Sequence, residues 1–219
     1  GANPMASNGS LMTVPDFRGR LKALKGRGGR MVVVDPRRTE TGKLADEFHF
    51  IRPGTDALLL MAMVHPLFEE DLVNLGHAEQ WTKDVDLVRL AAMGFTPEAV
   101  SEQTGMPAAD IRNLARQLAT TPRAALYTRM GTRTQAFGGV ATWLAYVLNI
   151  LTGKLDSTGG MMFTQPAIDL IALGGMSGQK GHFGKRFSRV KKLPEFAGEY
   201  PSSTIADEIL TPGEGQIRA

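Results

Sequence analysis

A chain of 219 residues that is 42% hydrophobic has material for one sizeable core plus an appendage, and its net charge of +3 is too small an excess to mark a nucleic-acid binder by itself. It has no cysteine, which excludes disulfides, cysteine nucleophiles, thiolate metal ligands and iron–sulfur ligation by this chain. No apolar run approaches the roughly eighteen residues that span a bilayer, and no charged-then-apolar leader opens the chain, so a soluble protein is expected.

The first ten residues, GANPMASNGS, form a polar loop with no strand before it. In PDFRGRLKALKG, Phe17, Leu21 and Leu24 fall at helical spacing, with Asp16 in the first turn and Gly26 at the exit. The stretch KGRGGR at 25–30 follows a helix and precedes a strand, the wrong order for a phosphate loop, and reads as a helix exit and turn. RMVVVDPRR at 30–38 is a β-branched run ending in Asp-Pro, the pattern of a buried parallel strand. EFHFIR at 47–52 predicts a second strand. PGTDALLLMAMVHPLFEE predicts the helix after it, with Thr55 or Asp56 placed to cap it.

A helical insert occupies about 84–122 and contains two short helices within 96–122; AALYTR at 124–129 predicts a third strand, and 137–151 an apolar helix ending at Gly153. Strands alternating with helices predict an α/β fold: a doubly wound, mostly parallel sheet with helices on both faces, a helical-hairpin insert and an irregular C-terminal segment. That last segment follows from Gly174, Gly175, Gly178, Gly181 and Gly184, which break any periodicity, and from Lys180, Lys185, Arg186, Arg189, Lys191 and Lys192 with no acid among them. A last helix is expected near 203–210.

In such sheets ligands sit at the carboxyl ends of the strands. Asp35 ends a strand where a carboxylate accepts from a ribose or from guanine nitrogens, with Arg37 and Arg38 as phosphate partners; a strand-ending turn with a solvated arginine pair has the same pattern. Gly54, Thr55 and Asp56 open a helix after a strand, the order that suits an anion or an ordinary cap alike. MGTRTQAFGG at 130–139 lies in another strand-to-helix loop, where Gln135 both donates and accepts. Three such loops at one sheet edge point to a shared ligand. Arg112 and Arg116 on the second helix of the insert leave a helix-turn-helix DNA reader open, although Asp110 and the commonness of scaffolding hairpins weigh against it. His49, His65, His77 and His182 show no metal-ligand spacing, and no nucleophile–base pairing stands out.

Taken together, GANPMASNGS, VVVDPRRTETGKLAD, FIRPGTDALLLMAM, RMGTRTQAFGG, WLAYVLNILTGKLDSTGGMMF and EILTPGEGQIRA resemble the molybdopterin oxidoreductases of the dimethyl sulfoxide reductase superfamily, which includes formate dehydrogenases and nitrate reductases. The resemblance covers nearly the whole chain, with the motifs in family order. It implies an α/β domain that grips the guanosine diphosphate end of a molybdopterin guanine dinucleotide, in a parent enzyme carrying molybdenum or tungsten. By position it assigns Asn3, Ser7 and Asn8 to a GxNP loop on the dinucleotide. It likewise assigns Asp35 and Arg37 to a VDPR strand end, Gly54, Thr55 and Asp56 to a GTD loop, and Met130, Gly131 and Gln135 to a loop along the pterin side. It further implies a fragment of a larger polypeptide, with GANP as the loop after a first strand left out of the chain and IRA entering another strand. Residues 1–160 would be the cofactor domain, and 161–219 a basic Gly-rich segment and final helix leading to a neighbouring domain. The expected partners are the remaining domains of the same polypeptide and a redox subunit, with no nucleic acid and no membrane insertion. An iron–sulfur cluster, if the parent has one, would be bound elsewhere, the fragment alone would be inactive, and the expected location is cytoplasmic.

Overall fold

Three consecutive valines form β1 (Val32–Val34), because side chains branched at Cβ favour extended backbone. In the computed structural model, which describes residues 1–9, 14–163, 165–176, 183–196 and 198–218, β1 pairs in parallel with β2 (Glu47–His49). The register sets Val32 opposite Glu47, Val33 opposite Phe48 and Val34 opposite His49, and the Asp35 N–H continues the ladder to the His49 carbonyl at 3.1 Å. That last bond holds Asp35 at the carboxyl end of the pair. Ahead of β1, α1 (Phe17–Gly26) buries Leu21. Asp16 stands at its N-cap rather than in its first turn, accepting from the Gly19 N–H at 3.1 Å.

The core is built on α2 (Asp56–Glu69), where Leu59, Leu60, Ala62, Met63, Val64 and Leu67 are all buried. A helix apolar on nearly every face has to be surrounded. It is covered by α3 (Val85–Ala92), α4 (Pro97–Thr104), α5 (Ala108–Thr120) and α7 (Gly138–Leu151). The α4–α5 pair starts and stops on local signals: the Thr96 hydroxyl accepts from the Ala99 N–H at 3.1 Å, Pro97 is the first helical residue, and Gly105 at φ 72° closes α4. One turn, α6 (Met130–Arg133), precedes α7. Gly138 opens α7 because a Cβ there would lie 2.1 Å from the Arg133 carbonyl oxygen.

Residues 124–129 do not form the strand that their composition predicts. Among the described residues no ladder bond joins them to β1 or to any other strand. Their order comes from Asn149, fully buried on α7, whose Oδ1 accepts from the Leu126 N–H at 3.0 Å and whose Nδ2 donates to the Leu126 carbonyl at 2.9 Å. A side-chain amide thus takes the place of a neighbouring strand on one side. On another side, a cavity of about 550 Å³ lies between β1 and residues 124–128, lined by Val32, Val34, Leu59, Met63 and Leu126. The fold of this unit is mixed α/β with a two-stranded parallel sheet.

Gly1–Phe163 and Thr164–Ala219 are separate compact units. The second unit, expected to be irregular, contains α8 (Leu170–Met176), the antiparallel pair β3 (Phe183–Phe187) and β4 (Pro194–Phe196), and α9 (Ile205–Leu210). Acids distant in sequence correct that expectation. Glu208 accepts from Arg189 at 3.1 Å and from the Val190 N–H at 2.9 Å, Asp207 pairs with Lys191 at 2.6 Å, and buried Glu195 accepts from the Lys185 N–H at 3.2 Å. Gly178, Lys180, Gly181 and His182 lie outside the described residues. Among the described residues no helix is long and apolar enough to cross a membrane.

Candidate functional site

Four loops of the first unit meet at a cavity of about 330 Å³, lined by residues from 1–3, 35–39, 53–56 and 131–135. Asp35 is held there by the parallel ladder and is 8% exposed; its Oδ1 accepts from the Arg37 N–H at 2.9 Å, an Asx turn that sets the direction of the Pro36–Arg37 bend. Its Oδ2 lies 3.5 Å from the Gly1 amino nitrogen. Gly54 at φ 85° makes the turn into α2, a backbone angle that side chains disfavour. Thr55 stands at the N-cap, yet its hydroxyl donates to the Arg52 carbonyl at 2.7 Å, so no side chain caps α2. The first N–H groups of α2 and the positive end of its dipole are therefore left for another acceptor. Asp56 in the first turn accepts from Gln135 Nε2 at 2.6 Å, tying the α2 entry to the loop before α7. Gly131 donates its N–H to the Gly1 carbonyl at 3.1 Å, and a Cβ on Gly131 would sit 2.7 Å from Gly1 Cα.

Of the residues singled out in the sequence, Asn3, Asp35, Arg37, Gly54, Asp56, Gly131 and Gln135 line this cavity; Ser7, Asn8, Thr55 and Met130 do not. The Ser7 hydroxyl donates to the Asn3 carbonyl at 3.0 Å, while Asn8 is exposed with φ 49° and Met130 is largely exposed. Ala2, Pro36, Thr39 and Pro53 also line the cavity and were not marked in the sequence. Their neighbours in the motifs are the only signal that could have found them. Two carboxylates, one guanidinium, two side-chain amides and open backbone N–H groups equip the cavity to bind a polar ligand with hydrogen-bond donors and an anionic part.

Solved and curated proteins share this segment. The structure of acetylene hydratase from Pelobacter acetylenicus matches 69% of the chain at a TM-score of 0.61 and 28% identity, over 20% of its own length. Formate dehydrogenase H of Escherichia coli (strain K12) is 36% identical over 60% of the chain and 18% of that protein. The dimethyl sulfoxide/trimethylamine N-oxide reductase of Cereibacter sphaeroides is 32% identical over 97% of the chain and 27% of that protein. The chain is a homologue of the molybdopterin oxidoreductases. It spans roughly a fifth to a quarter of the length of these relatives, and no family model matches it.

In this molybdopterin oxidoreductase homologue the arginines of α5 pair with acids at the surface of the helical hairpin. Arg112 forks onto Glu98 at 2.9 and 3.1 Å and also bonds Glu69, and Arg116 forks onto Glu70 at 2.6 and 2.8 Å. Arginines satisfied by three glutamates are poor phosphate readers, which removes the support for a DNA-binding hairpin. The Arg112 hydrogen bonds hold the Glu98 carboxyl below its ordinary range, and the Arg116 bonds do the same for Glu70. Depressed carboxyls stabilise the fold above their ordinary pKa and lose that contribution as pH falls through the lowered values. Thermal melts followed from about pH 6 to pH 3 should therefore lose Tm less steeply for an Arg112→Met, Arg116→Met variant than for the wild type.

Proposed function

We propose that this chain is the dinucleotide-binding domain of a molybdenum or tungsten oxidoreductase, and that its 330 Å³ cavity grips the guanosine diphosphate part of a molybdopterin guanine dinucleotide. The observation that carries the reading is the meeting of Asp35, Asp56 and the uncapped start of α2 in one cavity of a chain homologous to these enzymes. The donor set fits the group. Guanine presents ring and amino N–H donors that carboxylates accept, ribose presents hydroxyls, and a diphosphate suits Arg37 together with free N–H groups at a helix start. A cavity of this size falls within the range of small-molecule sites, about 300–1,000 Å³.

Bound cofactor would supply the redox chemistry of the parent, and this chain's residues supply binding and orientation. Asp35 and Asp56 accept from base or ribose, Arg37 faces phosphate, and Gln135 fixes the Asp56 carboxylate while presenting its own carbonyl oxygen. Residues 1–160 form the cofactor domain with 84–122 as a helical insert. Residues 161–219 lead towards a neighbouring domain of the same polypeptide, and a redox subunit and a cytoplasmic location complete the reading. The doubly wound sheet is completed in the parent by a strand lying between β1 and residues 124–128, a placement supported by the cavity there.

Ligand-dependent thermal shifts test the reading. GDP should raise the Tm of the 219-residue chain in a concentration-dependent way while ADP and NADH at equal concentration do so weakly. Equal or stronger stabilisation by ADP or NADH would make the cavity a general nucleotide site instead.

A further inference from the structure

Behind the cavity wall, one hydroxyl joins two of the loops that make it. Thr41 is 2% exposed and does not line the cavity, yet its Oγ1 donates to Asn3 Oδ1 at 2.8 Å and accepts from the Met5 N–H at 3.1 Å. The Thr41 N–H adds a second bond to Asn3 Oδ1 at 3.3 Å. Asn3 Nδ2 donates to Glu40 Oε2 at 2.8 Å, which holds the Glu40 carboxyl below its ordinary range. With two donors on one side of its amide and a carboxylate on the other, Asn3 has a single orientation that satisfies the set. The Asn3 carbonyl in turn accepts from the N–H groups of Ala6 and Ser7, both at 3.0 Å, so the whole turn after Asn3 hangs on this anchor. On the other side, the Thr39 hydroxyl accepts from the Gly42 N–H at 3.1 Å and fixes the bend that presents Thr39 to the cavity.

We propose that Thr41 is a positioning residue, fixing the loop of Asn3 against the loop of Asp35–Thr39 and so setting the separation of two walls of the ligand cavity. The Asn3 side chain is then chiefly a member of the wall's framework: three of its bonds run to Glu40 and Thr41, and one Nδ2 hydrogen is left to face a ligand. A hydroxyl that is buried, donates once and accepts once is intolerant of replacement by a methyl of the same shape, because the Met5 N–H loses its acceptor and Asn3 Oδ1 loses a donor. The role of Thr41 towards a ligand rests on the reading of the cavity as a guanosine diphosphate site.

Thr41→Val keeps the shape and removes the hydroxyl, and Thr41→Ser keeps the hydroxyl. Hydrogen exchange and GDP titration on the full 219-residue chain separate the two questions. Exchange at the Met5 amide should quicken by about tenfold or more in Thr41→Val and stay near wild type in Thr41→Ser, with GDP affinity falling about tenfold in the first variant only. Unchanged Met5 exchange in Thr41→Val, or failure of Thr41→Ser to restore it, overturns the clamp. Full GDP affinity in Thr41→Val overturns the positioning role. A wild-type chain that does not bind GDP at all, with the exchange difference intact, would sink the guanosine diphosphate reading and, with it, the role of Thr41 towards that ligand, leaving the clamp itself supported.

Discussion

Replacing Asn149 with leucine is expected to destabilise the first unit by about 2–5 kcal/mol, a fall in Tm on the order of 5–15 °C. The size follows from what the amide does. Asn149 is fully buried, and it satisfies both the N–H and the carbonyl of Leu126 while also donating to the Ala145 carbonyl at 2.7 Å. Leucine matches the branching and heavy-atom count of asparagine, so no cavity opens; its bulkier methyls add some overpacking, and the main cost is that of two backbone groups left without partners, about 1–3 kcal/mol each. The damage should be local to residues 124–129 at first, because those two bonds are what tie the segment to α7. Urea melts with tryptophan fluorescence check this, and a midpoint unchanged from wild type would show that the segment is held by packing alone.

Removing either cavity acid is expected to weaken GDP binding by about ten- to a hundredfold, the equivalent of one hydrogen bond to a charged group at roughly 1.5–3 kcal/mol. The two acids differ in what else they hold. Asp56→Ala also releases Gln135 and removes a negative charge from the start of α2, so a small loss of stability, about 0.3–1 kcal/mol, should accompany the loss of affinity. Asp35→Ala loses the Asx turn to the Arg37 N–H as well. Asp35→Asn keeps an acceptor for that N–H while discarding the charge, one acceptor oxygen and the contact with the Gly1 amino group, so it should stay closer to wild-type Tm than Asp35→Ala while losing most of the affinity. Calorimetric titration of the three variants distinguishes ligand contact from loop collapse. Wild-type affinity in both Asp35→Asn and Asp56→Ala would remove the carboxylates from the account.

Features written in neighbouring residues were legible in the sequence. Thr96, Pro97 and Gly105 mark the ends of α4, and the unbroken apolar run after Asp56 marks the central helix, because caps and periodicity act within a few residues. The loops that build the cavity were legible for a related reason: glycine and short polar residues at strand-to-helix junctions are needed for backbone turns whatever the fold does elsewhere. Partners far along the chain were not legible. The β-rich composition of residues 124–129 is genuine, but a strand requires a neighbouring strand, and at Leu126 the backbone pairs instead with the side-chain amide of Asn149. Arg112 and Arg116 read as free cations until the fold brings Glu69, Glu70 and Glu98 to them, and the basic second unit read as loop until Glu195, Asp207 and Glu208 closed it. Thr41, buried behind the wall, carries no local mark of its bond to Asn3.

The central claim is that guanosine diphosphate binds among the loops of residues 1–3, 35–39, 53–56 and 131–135. Amide chemical-shift mapping of the 219-residue chain during a GDP titration tests it most directly. The account predicts saturable shifts concentrated at Asn3, Asp35, Arg37, Gly54, Asp56 and Gly131, together with the Gln135 side-chain amide. Saturable shifts confined to other surfaces, or none at these positions at millimolar GDP, would contradict it.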